Sequence, residues 1–353
     1  MAGAYLRRIA TAAPEHDIHE KFVAFAGGML RDPRARSIFQ RLAAKSGILH
    51  RYSCLHEEPA REDAGCDAFS FYANGRFPST AERMKVFEQS APVLLRKALD
   101  KLALSAEERR QIRHVLVTCC TGFYAPGLDF DVIDYLGLSQ ATERTMLGFM
   151  GCYAAINALK LARHIVRSDP GAAALVVNLE LCTLHFNETQ NLGEVISFTL
   201  FGDGCAASLV TAEPGGLELD RFHALRVEDS RDLITWRVGD LGFNMFLSTH
   251  VPGKIERAMR EHAGSVADGG EVHLWAVHPG GRSILDAVES GLALAPDALW
   301  ASRGVLSSFG NMSSATVMFV LERLMQEASA GQCGCAISFG PGLTAEIMRF
   351  HAA

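Results

Sequence analysis

The stretch from Gly148 to Val177 constrains this chain more than any other. The small-residue run Gly148-Phe149-Met150-Gly151 makes a turn that ends at Cys152 and opens directly into a helical pattern. Ala155, Leu159, Ala162 and Val166 recur with the spacing of one apolar helix face, and Asn157, Lys160, His164 and Arg167 fall opposite. Pro170-Gly171 stops that helix, and Ala173 to Val177 reads as a core strand. A turn that opens into a helix, with a core strand after it, predicts α/β alternation.

The alternation persists along the chain. His114 to Cys119 is a β-branched run leading into a Gly/Pro-rich loop, Thr121 to Gly127. Phe201-Gly202-Asp203-Gly204 is a turn before a strand over Cys205 to Val210. Val272 to Val277 forms a strand that delivers His278 at its end, followed by a helix over Ser283 to Leu294. Val317, Leu321 and Leu324 line a helix beginning after Asn311, and Cys335 to Phe350 closes the chain as a hairpin about Gly340-Pro341-Gly342-Leu343. The turns 201–204 and 339–342 hold similar places in two halves, which suggests duplication with a seam at Glu213-Pro214-Gly215-Gly216 and units 1–212 and 213–353.

Composition removes several function classes. With 353 residues and 48% apolar content the chain can bury a substantial core. A net charge of −6 without a Lys/Arg run argues against nucleic acid as partner. The N-terminus lacks a signal-like apolar region, and no apolar run reaches the roughly 18 residues of a membrane span. Nine scattered cysteines, an odd number, do not make a secreted disulfide framework. Cys333-Gly334-Cys335 and Cys119-Cys120 lack the spacing and His partners of a zinc site, so no metal is expected. A reducing cytoplasm is the expected compartment.

Cys152, His278 and Asn311 each fall at a strand end or helix start, where α/β sheets gather active sites. A helix N-terminus stabilises a thiolate, so the thiol of Cys152 is expected to be acidified. A thiolate attacks a thioester, and a nearby imidazole can hold it as an ion pair. An enolate formed by decarboxylation needs donors, and a His N–H and an Asn N–H supply two without a repelling carboxylate. This set suits acyl capture followed by decarboxylative carbon–carbon bond formation.

The motifs Val117-Thr118-Cys119-Cys120-Thr121-Gly122, Gly148-Phe149-Met150-Gly151-Cys152, Phe201-Gly202-Asp203-Gly204, Val251-Pro252-Gly253, His278-Pro279-Gly280-Gly281, Gly310-Asn311-Met312-Ser313-Ser314 and Phe339-Gly340-Pro341-Gly342 follow one another in order. Together they resemble the type III polyketide synthases, the chalcone/stilbene synthase-like family, in a bacterial style. The resemblance implies a thiolase-like fold of two duplicated βα halves packed as a layered αβαβα core, and a homodimer. It implies Cys152 as the acyl-carrying nucleophile, with His278 and Asn311 holding the thioester oxygen and the enolate. Phe201 matches one gatekeeper phenylalanine, and Met245 stands where a second is usual. Cys182 and His185 match cavity positions, and Ala125 matches a loop that reaches into a partner's cavity. Arg41 and Lys45 match cationic contacts to coenzyme A, while a third basic position reads Ile38. The implied substrates are an acyl-CoA starter and malonyl-CoA, with no cofactor, and the product a pyrone or resorcinol.

Taken singly, each residue has a plainer reading. Cys152 alone is a buried thiol, His278 a core histidine, and Asn311 a helix cap that Ser313 or Ser314 could replace. Phe201 and Met245 could be core packing, Arg41 and Lys45 a solvated helix face, and His164, His185, His223 and His250 structural. Two rival functions stay open at this level: a single-round ketoacyl synthase III-like enzyme using a carrier-bound thioester, and a non-catalytic subunit that binds acyl chains.

Overall fold

Every residue of the strand Ala173–Leu181 is buried, as is every residue of Asp203–Thr211. Strands covered on both faces need a layer of helices on each side, and that requirement organises the molecule. The computed structural model describes residues 2–55, 71–72, 77–267 and 270–353. Within them lies a nine-stranded sheet whose order is Leu274–Val277, Cys333–Gly340, Thr344–Ala352, Leu217–Arg226, Tyr5–Ala12, Asp203–Thr211, Ala173–Leu181, Ile112–Cys119 and Glu143–Gly148.

The pairing repeats. Strand 112–119 runs parallel to 173–181, which is antiparallel to 203–211, itself antiparallel to 5–12. In the second half 274–277 runs parallel to 333–340, which is antiparallel to 344–352, itself antiparallel to 217–226. The halves join where Tyr5 and Leu6 pair with Glu218 and Leu217.

The amphipathic helix foreseen after Cys152 spans Ala154–Ser168 and buries Ala155, Leu159, Ala162 and Val166. Its polar side carries Lys160, whose Nζ lies 3.0 Å from a Glu346 carboxylate oxygen on strand 344–352. This helix and Thr316–Glu327 each contact strands of both halves and form the middle layer. The helix Thr80–Leu102, opened by a reciprocal Ser79/Glu82 capping box, covers the outer face of the first half. Val251–Glu261 and Arg282–Gly291 pack together on the outer face of the second. The result is the layered αβαβα arrangement. The strand ends at Leu181, and Cys182–His185 follows it as a 3-10 turn. Among the described residues no helix is long and apolar enough to cross a membrane.

Candidate active site

Strand Glu143–Gly148 runs into a turn in which Phe149 has φ 60° and Gly151 φ 82°. A Cβ on Gly151 would stand 2.4 Å from Cδ of Pro341, so glycine is required there both by conformation and by space. The helix begins at Ala154 with Tyr153 as its N-cap, which leaves Cys152 in the turn just ahead of it. His278 follows strand 274–277 and is tied to the neighbouring strand by its backbone N–H, donated to the Ile337 carbonyl at 2.8 Å. Asn311 bridges to Phe201: its N–H donates to Leu200 O at 2.8 Å, and Gly202 N–H donates to Asn311 O at 3.0 Å. The Asn311 side chain is oriented by the Ser313 N–H, which donates to Oδ1 at 2.8 Å. That bond turns Nδ2, the donor end, toward Gly280, whose carbonyl oxygen lies 3.4 Å away.

Cys152, His278, Asn311, Phe201, Met245 and Cys182 all line one cavity. Three expected residues stand outside it. Ala125 is exposed in the loop 123–127. Arg41 and Lys45 are exposed at the end of the helix Pro33–Ala44, beside the start of helix 282–291, whose Arg282 Nη1 donates to Lys45 O at 3.3 Å. Gly280 and Ile284, flanking Arg282, do line the cavity, so these cations sit near its rim.

The electrostatics correct one expectation. Burial pushes the Cys152 thiol up to about 12, with the Ser313 hydroxyl, its own backbone N–H and the Asn311 side chain pulling it back. Burial also pushes His278 down to about 3, and both its ring nitrogens are buried without a hydrogen-bond partner among the described residues. Desolvation of the thiol is the largest contribution, and the helix starts two residues later. Burial thus favours the uncharged form of each group.

Several residues here were not singled out as site residues from sequence. Ser313, read as a cap, makes no cap; its hydroxyl lies 3.7 Å from Cys152 Sγ and 3.2 Å from Cys120 Sγ. Behind them the buried Glu180 carboxyl accepts from Cys120 N–H at 3.0 Å, Thr121 Oγ1 at 2.7 Å and Ser314 Oγ at 2.6 Å, and Cys120 Sγ lies 3.3 Å away. Burial raises the Glu180 carboxyl and these donors hold it back. Hydrogen-bonding groups thus run from Cys152 through Ser313 and Cys120 to a carboxyl. Trp236 also lines the cavity, fixed by its Nε1–H donating to Cys120 O at 2.8 Å. A tryptophan two residues after Ile234, on the same strand face, is the signal that would have found it. His185 does not join them: it is fully buried, Nε2 lies 2.6 Å from Thr121 O, Nδ1 accepts from Phe243 N–H at 3.1 Å, and its ring stacks on Phe243.

The sequence profile of "Chalcone and stilbene synthases, N-terminal domain" matches residues 4–214, and that of the C-terminal domain matches residues 223–353. The chain is 32% identical to the alpha-pyrone synthesis polyketide synthase-like Pks18 of Mycobacterium tuberculosis, over 98% of this chain and 91% of that protein. It is 33% identical to bisdemethoxycurcumin synthase of Oryza sativa subsp. japonica, over 89% of this chain and 83% of the relative. Among solved structures, PKS-I of the brown alga Ectocarpus siliculosus superposes with a TM-score of 0.88 at 29% identity, covering 100% of this chain and 99% of that one. The 1,3,6,8-tetrahydroxynaphthalene synthase of Streptomyces coelicolor A3(2), a bacterial type III polyketide synthase, gives 0.86 at 28% identity, covering 99% of each chain. This chain belongs to the chalcone and stilbene synthase family, the type III polyketide synthases, acyltransferases that work by decarboxylative condensation.

Proposed function

We propose that this enzyme loads an acyl-CoA starter onto Cys152, extends it iteratively with malonyl-CoA, and cyclises the chain to a pyrone- or resorcinol-type product. The observation that carries this reading is the convergence of Cys152, His278 and Asn311 on one cavity, with the His278 nitrogens unpartnered and the Asn311 carboxamide oriented by Ser313. In the loading step His278 takes the Cys152 proton as sulfur attacks the thioester carbonyl. The carbon–sulfur bond to coenzyme A breaks, and the departing thiolate recovers the proton. Malonyl-CoA then loses CO2, and the electron pair of the broken carbon–carbon bond moves onto the thioester oxygen. His278 N–H and Asn311 Nδ2–H meet that oxygen, each such donor contributing about 3 kcal/mol to the transition state. The enolate carbon attacks the acyl group on Cys152, forming the new bond and releasing sulfur for the next round.

Phe201 and Met245 narrow the route to Cys152, and Cys182 forms cavity wall. Arg41 and Lys45 bind the phosphates of coenzyme A at the rim, which leaves the acyl-pantetheine arm to span the interior. A homodimer completes the enzyme. The outer strand Glu143–Gly148 ends the sheet with Met146 exposed, and Phe123 and Met150 stand exposed beside the Ala125 loop, a face suited to a second copy. The free state of the described cysteines suits the reducing cytoplasm.

The test is incubation of wild type and Cys152→Ala with malonyl-CoA and a series of acyl-CoAs, with products read by mass spectrometry. Products carrying two or more malonyl-derived units, absent with Cys152→Ala, are expected. No malonyl-derived product across the series, or a single extension obtained only from carrier-bound malonate, would overturn the proposal.

A further inference from the structure

Arg51 is wholly buried, yet among the described residues no carboxylate hydrogen-bonds its side chain. Its Nε–H donates to His19 Nδ1 at 2.9 Å, and Nη1 donates to Phe201 O at 2.6 Å and more weakly to Phe198 O at 3.4 Å. Nη2 is buried with no hydrogen-bond partner among the described residues, and the guanidinium stands 5.0 Å over the Phe22 ring. Nearby Asp17 spends its oxygens on His50 and on the backbone N–H groups of His19 and Arg51. Asp203 spends its own on Cys54 N–H and on the N–H and hydroxyl of Thr183. A cation enclosed this way is expensive unless its position does something for the protein.

What it grips is the peptide beside Asn311. The carbonyl of Phe201 takes the guanidinium bond, and the N–H of the same peptide unit, that of Gly202, donates to Asn311 O at 3.0 Å. Hydrogen bonds in such a chain strengthen one another, and the first is charge-assisted. The helix end before Asn311 is shaped around Arg51: at Gly310, the C-cap with φ 68°, a Cβ would stand 2.8 Å from Arg51 Cγ and 2.7 Å from Leu200 O.

We propose that Arg51 is a positioning residue for the decarboxylation step, its guanidinium holding Asn311, through the Phe201–Gly202 peptide, where the carboxamide meets the oxyanion. The inference rests on the role given to Asn311 above. It places a demand on Arg51 that loading of Cys152 does not, because sulfur attack on the starter leans on His278 for its proton.

The test compares wild type, Arg51→Met and Arg51→Lys in two assays on folded dimer or monomer, as thermal melting certifies. One is CO2 release from malonyl-CoA, and the other is acylation of Cys152 by an acyl-CoA, read by intact-protein mass spectrometry. Since a small displacement of a catalytic donor costs up to about a hundredfold, CO2 release by Arg51→Met should fall about tenfold further than acylation, with Arg51→Lys recovering part of it. Should Arg51→Met not fold, His19→Ala, which frees only the Nε bond, should show the same skew at smaller size. Equal losses in both assays, or CO2 release within about twofold of wild type, overturn the proposal alone. A wild type that releases no CO2 overturns the functional reading and this inference with it.

Discussion

Ser313 Oγ stands 3.7 Å from Cys152 Sγ, although nothing in the chain order brings the two together. Ser313 has φ 48°, an unfavourable conformation for a residue with a Cβ that costs about 1–3 kcal/mol. That strain is held by the Ser313 N–H bond to Asn311 Oδ1 and by the Thr316 hydroxyl, which donates to Ser313 O at 2.8 Å. One backbone position therefore orients the Asn311 amide and sets the Ser313 Oγ where it accepts from the Cys152 thiol.

Ser313→Ala should slow acylation of Cys152. A hydrogen bond to a charged group contributes about 1.5–3 kcal/mol, so loss of the hydroxyl should reduce the rate roughly ten- to a hundredfold. Rapid-quench mass spectrometry of the acyl-enzyme measures it. A rate unchanged within experimental scatter would remove Ser313 from the account.

The alkylation rate of free enzyme should climb with pH. The Cys152 thiol is pushed up to about 12 and His278 down to about 3 by burial, so near neutral pH the thiol keeps its proton and the imidazole stays uncharged. The sign follows from the acid: each step in pH below that value enlarges the small thiolate fraction, so iodoacetamide labelling of Cys152 should rise about tenfold per pH unit between 7 and 9. A preformed thiolate–imidazolium pair would instead give a rate nearly flat over that range. Peptide mapping keeps the other cysteines out of the measurement.

The legible parts of this protein are those whose cause is local. The apolar spacing of Ala155, Leu159, Ala162 and Val166 is a property of one segment, and the helix buries all four. The same holds for the strand that delivers His278. Arg51 escaped notice because its partners, the carbonyls of Phe198 and Phe201, come from a remote part of the chain, and an arginine is otherwise read as surface. Glu180 was hidden within an apolar run whose inward residues form core everywhere except at the site. The position of Cys152 ahead of a helix can be read from sequence, whereas the wall made by Phe339, Gly340, Pro341 and Ser313 around it requires the assembled fold.

Trp236→Ala should change product length. The indole lines the cavity and is held by Cys120 O, so it occupies volume that a growing chain would otherwise use. Truncation should shift the product mixture by at least one further malonyl-derived unit, visible by mass spectrometry. The half-buried ring limits the stability loss to less than the roughly 3–5 kcal/mol of a fully buried Trp→Ala change. Identical product masses would show that Trp236 does not bound the reacting chain.

Arg41 and Lys45 are exposed, so the role proposed for them is to attract phosphate rather than to shape the cavity. Arg41→Glu with Lys45→Glu should raise KM for malonyl-CoA roughly tenfold at low salt and leave kcat nearly unchanged, because coenzyme A contacts act equally on ground and transition states. The effect should shrink as ionic strength rises, since exposed charges are screened within about 8–10 Å at physiological salt. A malonyl thioester of N-acetylcysteamine, which carries no phosphate, supplies the control: its kcat/KM should be the same for wild type and the double variant. If both substrates lost activity in parallel, the charge reversal would be acting on the fold of helix 33–44, and coenzyme A recognition would have to lie elsewhere on the rim.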